Sequence, residues 1–397
     1  MNQGKISLLD DILFCVAYGL FISGMICGQT LLPVSPLIRH FTIGLGCVLL
    51  LVKMFIDFLE HPKLSNHRIM VYFLFLVMII LAGLSVKNNS EYEILGSVIF
   101  IFGAYGVNFK SVLKTFVLIT TSILLIMLVA YLLGAIGDGT VQRTASSGRA
   151  RITFGYRSAT DLVQLVAYVL LADIVLWFEK KDIIWWRIVL YLILGTVGWI
   201  FTDSRLASFS IYGLIPVLLI LKYANLDPAN KIIGTFLEYL FEICLLVSVV
   251  IENMFMTHSY AILNSFDAFS SARLTNTEIG IKLFGYTLFG QNIYTRILQY
   301  WSKWFYIDSS YYTFLIEYGI ALLLFVAAMY TITVRKELRE GNMAISIAFG
   351  IICLDSLICR EYFLIEYNVF LLAFLANTDD FAQNNIDGKG LFLRYNN

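Results

Sequence analysis

The sequence predicts an all-α integral membrane protein with about twelve transmembrane helices and one large outward-facing loop that carries a short amphipathic helix. Hydrophobic residues make up 59% of the 397 residues, charged residues make up 14%, and the mean hydropathy is +0.79. This composition is far more apolar than that of a soluble domain. The apolar residues are gathered into stretches of about 20, the length that crosses a bilayer core about 30 Å thick. We therefore predict a single polytopic membrane domain over 1–397.

The predicted spans follow these stretches in order along the chain. They are 12–32, 38–59, 69–86, 92–108, 111–136, 160–178, 183–202, 205–222, 231–253, 309–334, 343–359 and 361–378. The first stretch has only Lys5 ahead of it and no small-residue cleavage site after it, which predicts a retained span. The cysteines fall within apolar stretches, which favours buried or lipid-facing thiols over a metal site.

The short loops indicate the orientation, because Lys and Arg favour the cytoplasmic side of a membrane. With the N-terminus inside, the cytoplasmic loops hold Lys63, Arg68, Lys110, Lys114, Lys180, Lys181, Arg187, Lys222, Lys231, Arg335, Lys336 and Arg339. An even number of spans returns the C-terminus to the same side. Both termini are therefore expected in the cytoplasm.

Three segments on the outer side break this pattern, and they carry mainly arginine. They are the stretch 143–158, the joint 203–205 and the large extracytoplasmic loop 254–308. Their arginines are Arg143, Arg149, Arg151, Arg157, Arg205, Arg273 and Arg296. The planar guanidinium suits bidentate binding of phosphate. We therefore predict an anion site on the outer face, with contacts to lipid headgroups as the alternative explanation.

The large loop contains the sequence SSARLTNTEIGIKLFG, which predicts the short amphipathic helix. Its serines offer an N-cap, Glu278 and Lys282 stand four residues apart, and Gly285 is suited to end the helix. Such a helix would hold Arg273 near its start, directed toward the other arginines. The aromatic-rich segment after the loop, which includes Tyr311, is typical of an interfacial belt or of a surface on which sugars stack.

From Arg151 onward, the order of short motifs resembles that of the bacterial O-antigen polymerase and O-antigen ligase family, in particular the Wzy-type repeat-unit polymerases. The motifs are RITFGY before a helix, TDSR between two helices, SARL and LFG in the large loop, IDSSYYTFLIEYG after it, and finally EYFLIEYNVFLL. The resemblance implies polymerisation of undecaprenyl-pyrophosphate-linked oligosaccharide repeat units on the outer leaflet, for capsule, O-antigen or exopolysaccharide. It also implies the bacterial cytoplasmic membrane as location, contact with membrane lipid, and flippase and chain-length regulator proteins as partners.

Glycosyl transfer of this kind needs positive charge at the departing pyrophosphate and a base at the acceptor hydroxyl. Arg151 and Arg205 are the first candidates for the charge, and Asp308 is the first for the base, with Glu252 and His258 as rivals. The candidates for substrate binding are Arg157, Arg273, Tyr156, Glu252, His258 and Tyr311. We expect no cofactor and no metal, because the outward acids lack paired ligand spacing. The formal net charge of +0 gives no reason to expect nucleic acid.

Two other functions remain open at this point. A flippase or another transporter of the lipid-linked oligosaccharide would act on the same molecule, although such transporters tend to show paired halves that this sequence lacks. An O-antigen ligase would use the same donor. Ligase members carry a His just before the helix that follows the large loop, where this chain has Asp308.

Overall fold

A computed structural model describes residues 3–60, 66–139, 151–177, 184–223, 230–258, 260–293 and 306–382. These residues form helices and connecting turns, and no strand occurs among them. The α-helices are α1 (Gln3–Gln29), α2 (Pro36–Glu60), α3 (Asn66–Asn89), α4 (Glu93–Gly103), α5 (Phe109–Leu132), α6 (Ala159–Trp177), α7 (Trp185–Ile200), α8 (Arg205–Tyr223), α9 (Lys231–Glu238), α10 (Leu240–Thr257), α11 (Ala261–Phe269), α12 (Arg273–Phe284), α13 (Ser310–Thr313), α14 (Ile320–Glu340), α15 (Met343–Asp355) and α16 (Asp379–Ala382). A π-helical turn, Phe314–Tyr318, follows α13, and two 3₁₀ helices span Glu361–Phe363 and Val369–Phe374.

Within the described ranges, 7 helices are long and apolar enough to cross a membrane: α1, α2, α3, α5, α6, α8 and α10. The helices α4, α7 and α15 are apolar but shorter. The chain is therefore an α-helical, multi-pass membrane protein. The predicted number of about twelve spans is not confirmed by the described residues.

Three of the predicted spans have a different local structure. The stretch 231–253 is divided at Tyr239 into α9 and α10, and the stretch 309–334 is divided at Gly319, before α14 begins. The stretch 361–378 contains the two 3₁₀ helices and turns in place of an α-helix. All but two of its residues are buried, and Ile365 and Phe370 are 0% exposed. Non-helical backbone is tolerated at membrane depth where protein surrounds it, and this burial supplies that surrounding.

Close packing of α1 on α2 shows how these helices associate. A Cβ atom at Gly46 would lie 2.7 Å from the carbonyl oxygen of Ala17, so only glycine permits this approach. On roughly the opposite face of α2, Phe41, Val48 and Phe55 recur every seven residues and are 66%, 55% and 61% exposed. Small residues between helices and large apolar residues outside are typical of membrane bundles. The stripe on α2 therefore faces lipid.

The segment 151–158 is fastened to the ends of several helices at one end of the bundle, which we call the arginine end. The amide of Arg157 donates to the carbonyl of Gln29 at the end of α1, at 2.8 Å, and that of Ile152 donates to Phe201 after α7, at 2.9 Å. The amide of Thr153 donates to Asp138 Oδ1, beyond α5, at 2.9 Å. These bonds fix the position of the segment relative to α1, α5 and α7.

We predict that Gly319→Ala destabilises the fold by at least about 2 kcal/mol, because alanine is strained at positive φ. Gly319 has φ +102, and a Cβ there would lie 2.6 Å from both the amide nitrogen of Gly290 and the carbonyl oxygen of Leu288. The thermal unfolding midpoint of the purified protein in detergent is the measurement. Gly83→Ala in α3 is the control, because a Cβ at Gly83 meets no atom within 4 Å. Equal midpoints for both variants would contradict the prediction.

Candidate functional site: an arginine cleft beside an apolar groove

Three of the predicted arginines, Arg151, Arg205 and Arg273, line a single cleft of about 320 Å³, including its open side. We call it the arginine cleft. Each arginine comes from a different segment: Arg151 precedes the turn 153–156, Arg205 is the first residue of α8, and Arg273 is the first residue of α12. The other lining residues are Thr160, Asp203, Ser204, Leu206, Ala207, Phe269, Ser270 and Ser271. The fold thus brings together cations that lie far apart in the sequence.

Two carboxylates hold these arginines in place. Asp203 is shared, because its Oδ1 lies 3.1 Å from Arg205 Nε and its Oδ2 lies 3.6 Å from Arg151 Nη2. Asp308 Oδ1 lies 3.5 Å from Arg273 Nη2. Three guanidiniums and two carboxylates leave the group with a net positive charge. An anion in this cleft would therefore meet oriented donors and an excess of positive charge.

Arg273 remains a cation in spite of its burial. Desolvation acts to lower the pKa of its guanidinium, but the nearby Asp308, Cys359, Glu361 and Asp355 act in the other direction, and the pKa lies above its ordinary value. Its Nη1 is buried and has no hydrogen-bond partner among the residues that the structure describes. A buried donor without a partner is costly, so a ligand oxygen at this atom would be stabilising.

Strained backbone surrounds the arginine cleft. Among the described non-glycine residues, five have positive φ. Two of these, Asp203 (φ +49) and Ser271 (φ +65), line the cleft, and two more, Ala272 (φ +65) and Phe154 (φ +50), are close in sequence to Arg273 and Arg151. Conformations of this kind cost about 1–3 kcal/mol each and persist where the surrounding structure fixes them. Their concentration beside the three arginines is typical of a functional site.

Asp267 fixes the start of α12. Its Oδ1 accepts from the amides of Leu274 at 2.8 Å and Thr275 at 3.1 Å, and its Oδ2 accepts from the hydroxyl of Thr275 at 2.6 Å. The sequence predicts capping by the serines, whereas the cap hydrogen bonds come from this aspartate. The helix ends before Gly285, which has φ +66, and carries an ion pair between Glu278 and Lys282.

The two tyrosines predicted to bind substrate are core residues, both 0% exposed. The hydroxyl of Tyr156 lies 3.1 Å from that of Tyr367, and the hydroxyl of Tyr311 donates to the carbonyl of Cys353 at 3.0 Å. Neither tyrosine is among the described residues that line the arginine cleft. Their positions indicate packing roles that hold the segments on either side of the cleft.

Two further candidates are exposed and are not among the described residues that line the arginine cleft. The side chain of Arg157 is exposed. His258 follows α10, its ring Nδ1 lies 2.7 Å from the hydroxyl of Thr257, and its ring stacks on Tyr260 with centroids 5.4 Å apart. Arg143, Arg149 and Arg296 lie outside the residues that the structure describes.

Glu252, by contrast, is buried in a second cleft on the other side of Arg273. This cleft encloses about 640 Å³, including its open side, and both Glu252 and Arg273 line it. The Glu252 residue is 2% exposed. Asp308, which pairs with Arg273, is not among the described residues that line this cleft.

Sequence reasoning missed a buried polar network that joins three helices close to Arg273. Asp355, at the end of α15, accepts hydrogen bonds from Gln164 of α6 and Ser210 of α8, and the thiol of Cys359 donates to Gln164 Oε1 at 2.9 Å. The sequence signal for this network was Asp355, an acid within an apolar stretch, because a charged residue in a membrane span usually has a functional role. The shared position of Asp203 between two arginines had no comparable signal in the sequence.

A long apolar groove of about 1380 Å³, including its open side, runs between α5, α6 and α7. Leu162, Val166 and Leu170 of α6 line one wall, and Leu190 and Leu194 of α7 line the other. The groove contains Phe154 and Thr202 at the arginine end, and both are close in sequence to residues of the arginine cleft. Toward the other end of the bundle it is lined by Asp173 and Trp186. An apolar groove therefore begins beside a cationic cleft.

Comparison with protein-family models and with curated protein sequences gives no match to this chain.

Proposed function

We propose that the protein polymerises undecaprenyl-pyrophosphate-linked oligosaccharide repeat units for capsule, O-antigen or exopolysaccharide, as a metal-independent glycosyltransferase of the bacterial cytoplasmic membrane. The observation that carries this proposal is the convergence of Arg151, Arg205 and Arg273 on a cleft beside an apolar groove. A lipid-linked sugar has both features that such a site requires: a diphosphate head and a long apolar chain. The motif order that resembles the O-antigen polymerases supports the same assignment.

The arginines would act on the leaving group. In the transfer, the oxygen of an acceptor hydroxyl bonds to the anomeric carbon of the growing chain, and the bond from that carbon to the pyrophosphate oxygen breaks. Negative charge grows on the departing lipid pyrophosphate while the sugar acquires oxocarbenium character. Guanidiniums that Asp203 and Asp308 already hold in place stabilise this charge without reorganisation during the reaction.

The apolar groove would hold the first part of the isoprenoid chain. Lipid tails are as apolar as leucine, so transfer from the bilayer into the groove supplies little driving force. Its contribution is orientation: a chain lying along α6 and α7 brings the diphosphate to the arginine cleft. Affinity then comes mainly from the charged head.

The proposal requires the arginine end to face the outside of the cell, which predicts a labelling pattern. Ser271 at the arginine cleft and Glu340 at the end of α14 are both exposed. In a cysteine-free background, we expect an impermeant maleimide to label Ser271→Cys in intact cells and Glu340→Cys only after permeabilisation. The reverse pattern would contradict the orientation, and with it the assignment to the outer leaflet.

The test of the function is reconstitution of the purified protein in liposomes with undecaprenyl-pyrophosphate-linked repeat units as the only sugar substrate. A polymerase converts them to a ladder of lipid-linked polymers and releases undecaprenyl pyrophosphate. Translocation of the units with unchanged mass would indicate a flippase. Transfer that occurs only when a different lipid acceptor is added would indicate a ligase. In cells without the protein, a polymerase defect leaves single repeat units on lipid.

Polymerisation is further expected to continue in excess EDTA, because the arginines supply the positive charge at the leaving group. Asp203 and Asp308, the acids beside these arginines, are both engaged in ion pairs with them. The measurement is the rate of polymer formation in liposomes before and after chelation. Loss of polymer that a divalent cation restores would contradict the metal-independent mechanism.

A further inference from the structure

The arginine cleft and the second cleft share one wall. Arg273 lines both, with the polar arginine cleft on one side and the second cleft, between α10 and α12, on the other. The lining of the second cleft is largely apolar and includes the aromatic rings of Phe266 and Tyr312. Two clefts that meet at one guanidinium suit a reaction that joins two ligands, because the shared cation lies beside both.

The second cleft contains a buried acid, Glu252, with one carboxylate oxygen that lacks a hydrogen-bond donor. Glu252 is 2% exposed, and its Oε1 is buried with no hydrogen-bond partner among the residues that the structure describes. A buried acceptor left without a donor costs about 1–3 kcal/mol. A ligand hydroxyl at this atom would remove that cost. The hydroxyls of Thr277 and Ser309, which also line the cleft, donate to the carbonyls of Arg273 and Ser356 and have lone pairs left to accept from a ligand.

The other two candidates for the base have different surroundings. Asp308 is engaged by Arg273, at 3.5 Å, and its role there is to position the guanidinium. His258 is exposed and contacts the Thr257 hydroxyl. Of the three, Glu252 is the residue that both lines a cleft and has a carboxylate oxygen free to accept a proton.

We infer that the second cleft binds the terminal sugar of the acceptor and that Glu252 takes up the proton of its attacking hydroxyl. The inference rests on the proposed polymerase function and adds to it an acceptor site and a base. As the hydroxyl oxygen bonds to the anomeric carbon of the donor, its proton passes to the Glu252 carboxylate. The electron pair of the broken bond leaves with the lipid pyrophosphate beside Arg273.

The test uses the full-length protein in liposomes with undecaprenyl-pyrophosphate-linked repeat units. Loss of a general base typically costs about 10²–10⁴-fold in rate, so we expect Glu252→Gln to reduce kcat by at least about a hundredfold. We expect Glu252→Asp to recover part of the rate. Formate should restore activity to Glu252→Ala, because it can enter the space left by the side chain and accept the proton. A purely structural role for Glu252 would not produce this rescue.

Glu238→Gln is the matched control, because Glu238 is paired with Arg335 on α14 and is not among the described residues that line either cleft. It should retain the wild-type rate. Each variant is first checked for its thermal unfolding midpoint. Wild-type kcat in Glu252→Gln, or a folded Glu252→Ala that formate does not rescue, would overturn the inference and leave the proposed function standing. A wild-type protein that forms no polymer would overturn the proposed function itself.

Discussion

Arg151→Lys is expected to lose about a hundredfold in polymerisation rate, which corresponds to about 3 kcal/mol of transition-state stabilisation. The Arg151 side chain is 10% exposed, and its Nη2 lies 3.6 Å from Asp203 Oδ2. The planar guanidinium of Arg151 can contact the Asp203 carboxylate through one nitrogen and a phosphate through another. A lysine keeps the charge but has a single nitrogen, so it loses this two-point geometry. The measurement is kcat in liposomes, together with the chain length of surface polysaccharide in cells that express the variant.

Arg143→Lys serves as the control for this substitution. Arg143 lies among Thr, Ala, Ser and Gly in the same arginine-rich stretch, outside the residues that the structure describes, and we expect it to supply only diffuse positive charge. We expect Arg143→Lys to be nearly silent at equal amounts of protein in the membrane. Full-length polymer from both variants would show that the stretch binds lipid headgroups, and the pyrophosphate site would then have to be sought elsewhere.

The second large effect concerns the ion pair between Arg273 and Asp308. Both side chains are 14% exposed, so removal of the carboxylate leaves a mostly buried guanidinium without its partner. We expect Asp308→Asn to lower the free energy of unfolding by about 2 kcal/mol and to reduce polymerisation, because Arg273 is no longer held toward the cleft. Thermal unfolding in detergent and kcat in liposomes are the measurements.

A double-mutant cycle separates the structural effect from the catalytic one. Removal of both charges in Arg273→Gln with Asp308→Asn should recover most of the lost stability, because no buried charge then lacks a partner. Polymerisation should stay low, because the cation that the two clefts share is gone. Recovery of both stability and activity in the double variant would contradict a catalytic role for Arg273.

Local composition carried much of the prediction of the fold. Hydropathy located six of the seven long apolar helices and merged the seventh, α10, with α9, because the bilayer selects on the length and polarity of each stretch independently of its neighbours. The helix Arg273–Phe284 also lies where its sequence predicts one, with Gly285 after its last residue, but its apolar residues are spread around the helix and it is not amphipathic as predicted. The stretch 361–378 was predicted as a membrane span, but the structure buries it as 3₁₀ helices and turns. Composition does not distinguish the two, because an apolar run in a protein core has the same composition as one that faces lipid.

The sequence by itself determined the class of the protein and the segments in which its arginines are concentrated, since both are properties of short stretches. Only the tertiary structure decided that Arg151, Arg205 and Arg273 converge while Arg157 lies outside the lining of the cleft. It also placed Tyr156 and Tyr311 in the core, and it buried Glu252 in the second cleft with its Oε1 lacking a hydrogen-bond partner among the described residues. The physical reason is that convergence depends on how the ends of α1, α5, α7, α8 and α12 are arranged around one another, and that arrangement is fixed by packing between distant segments.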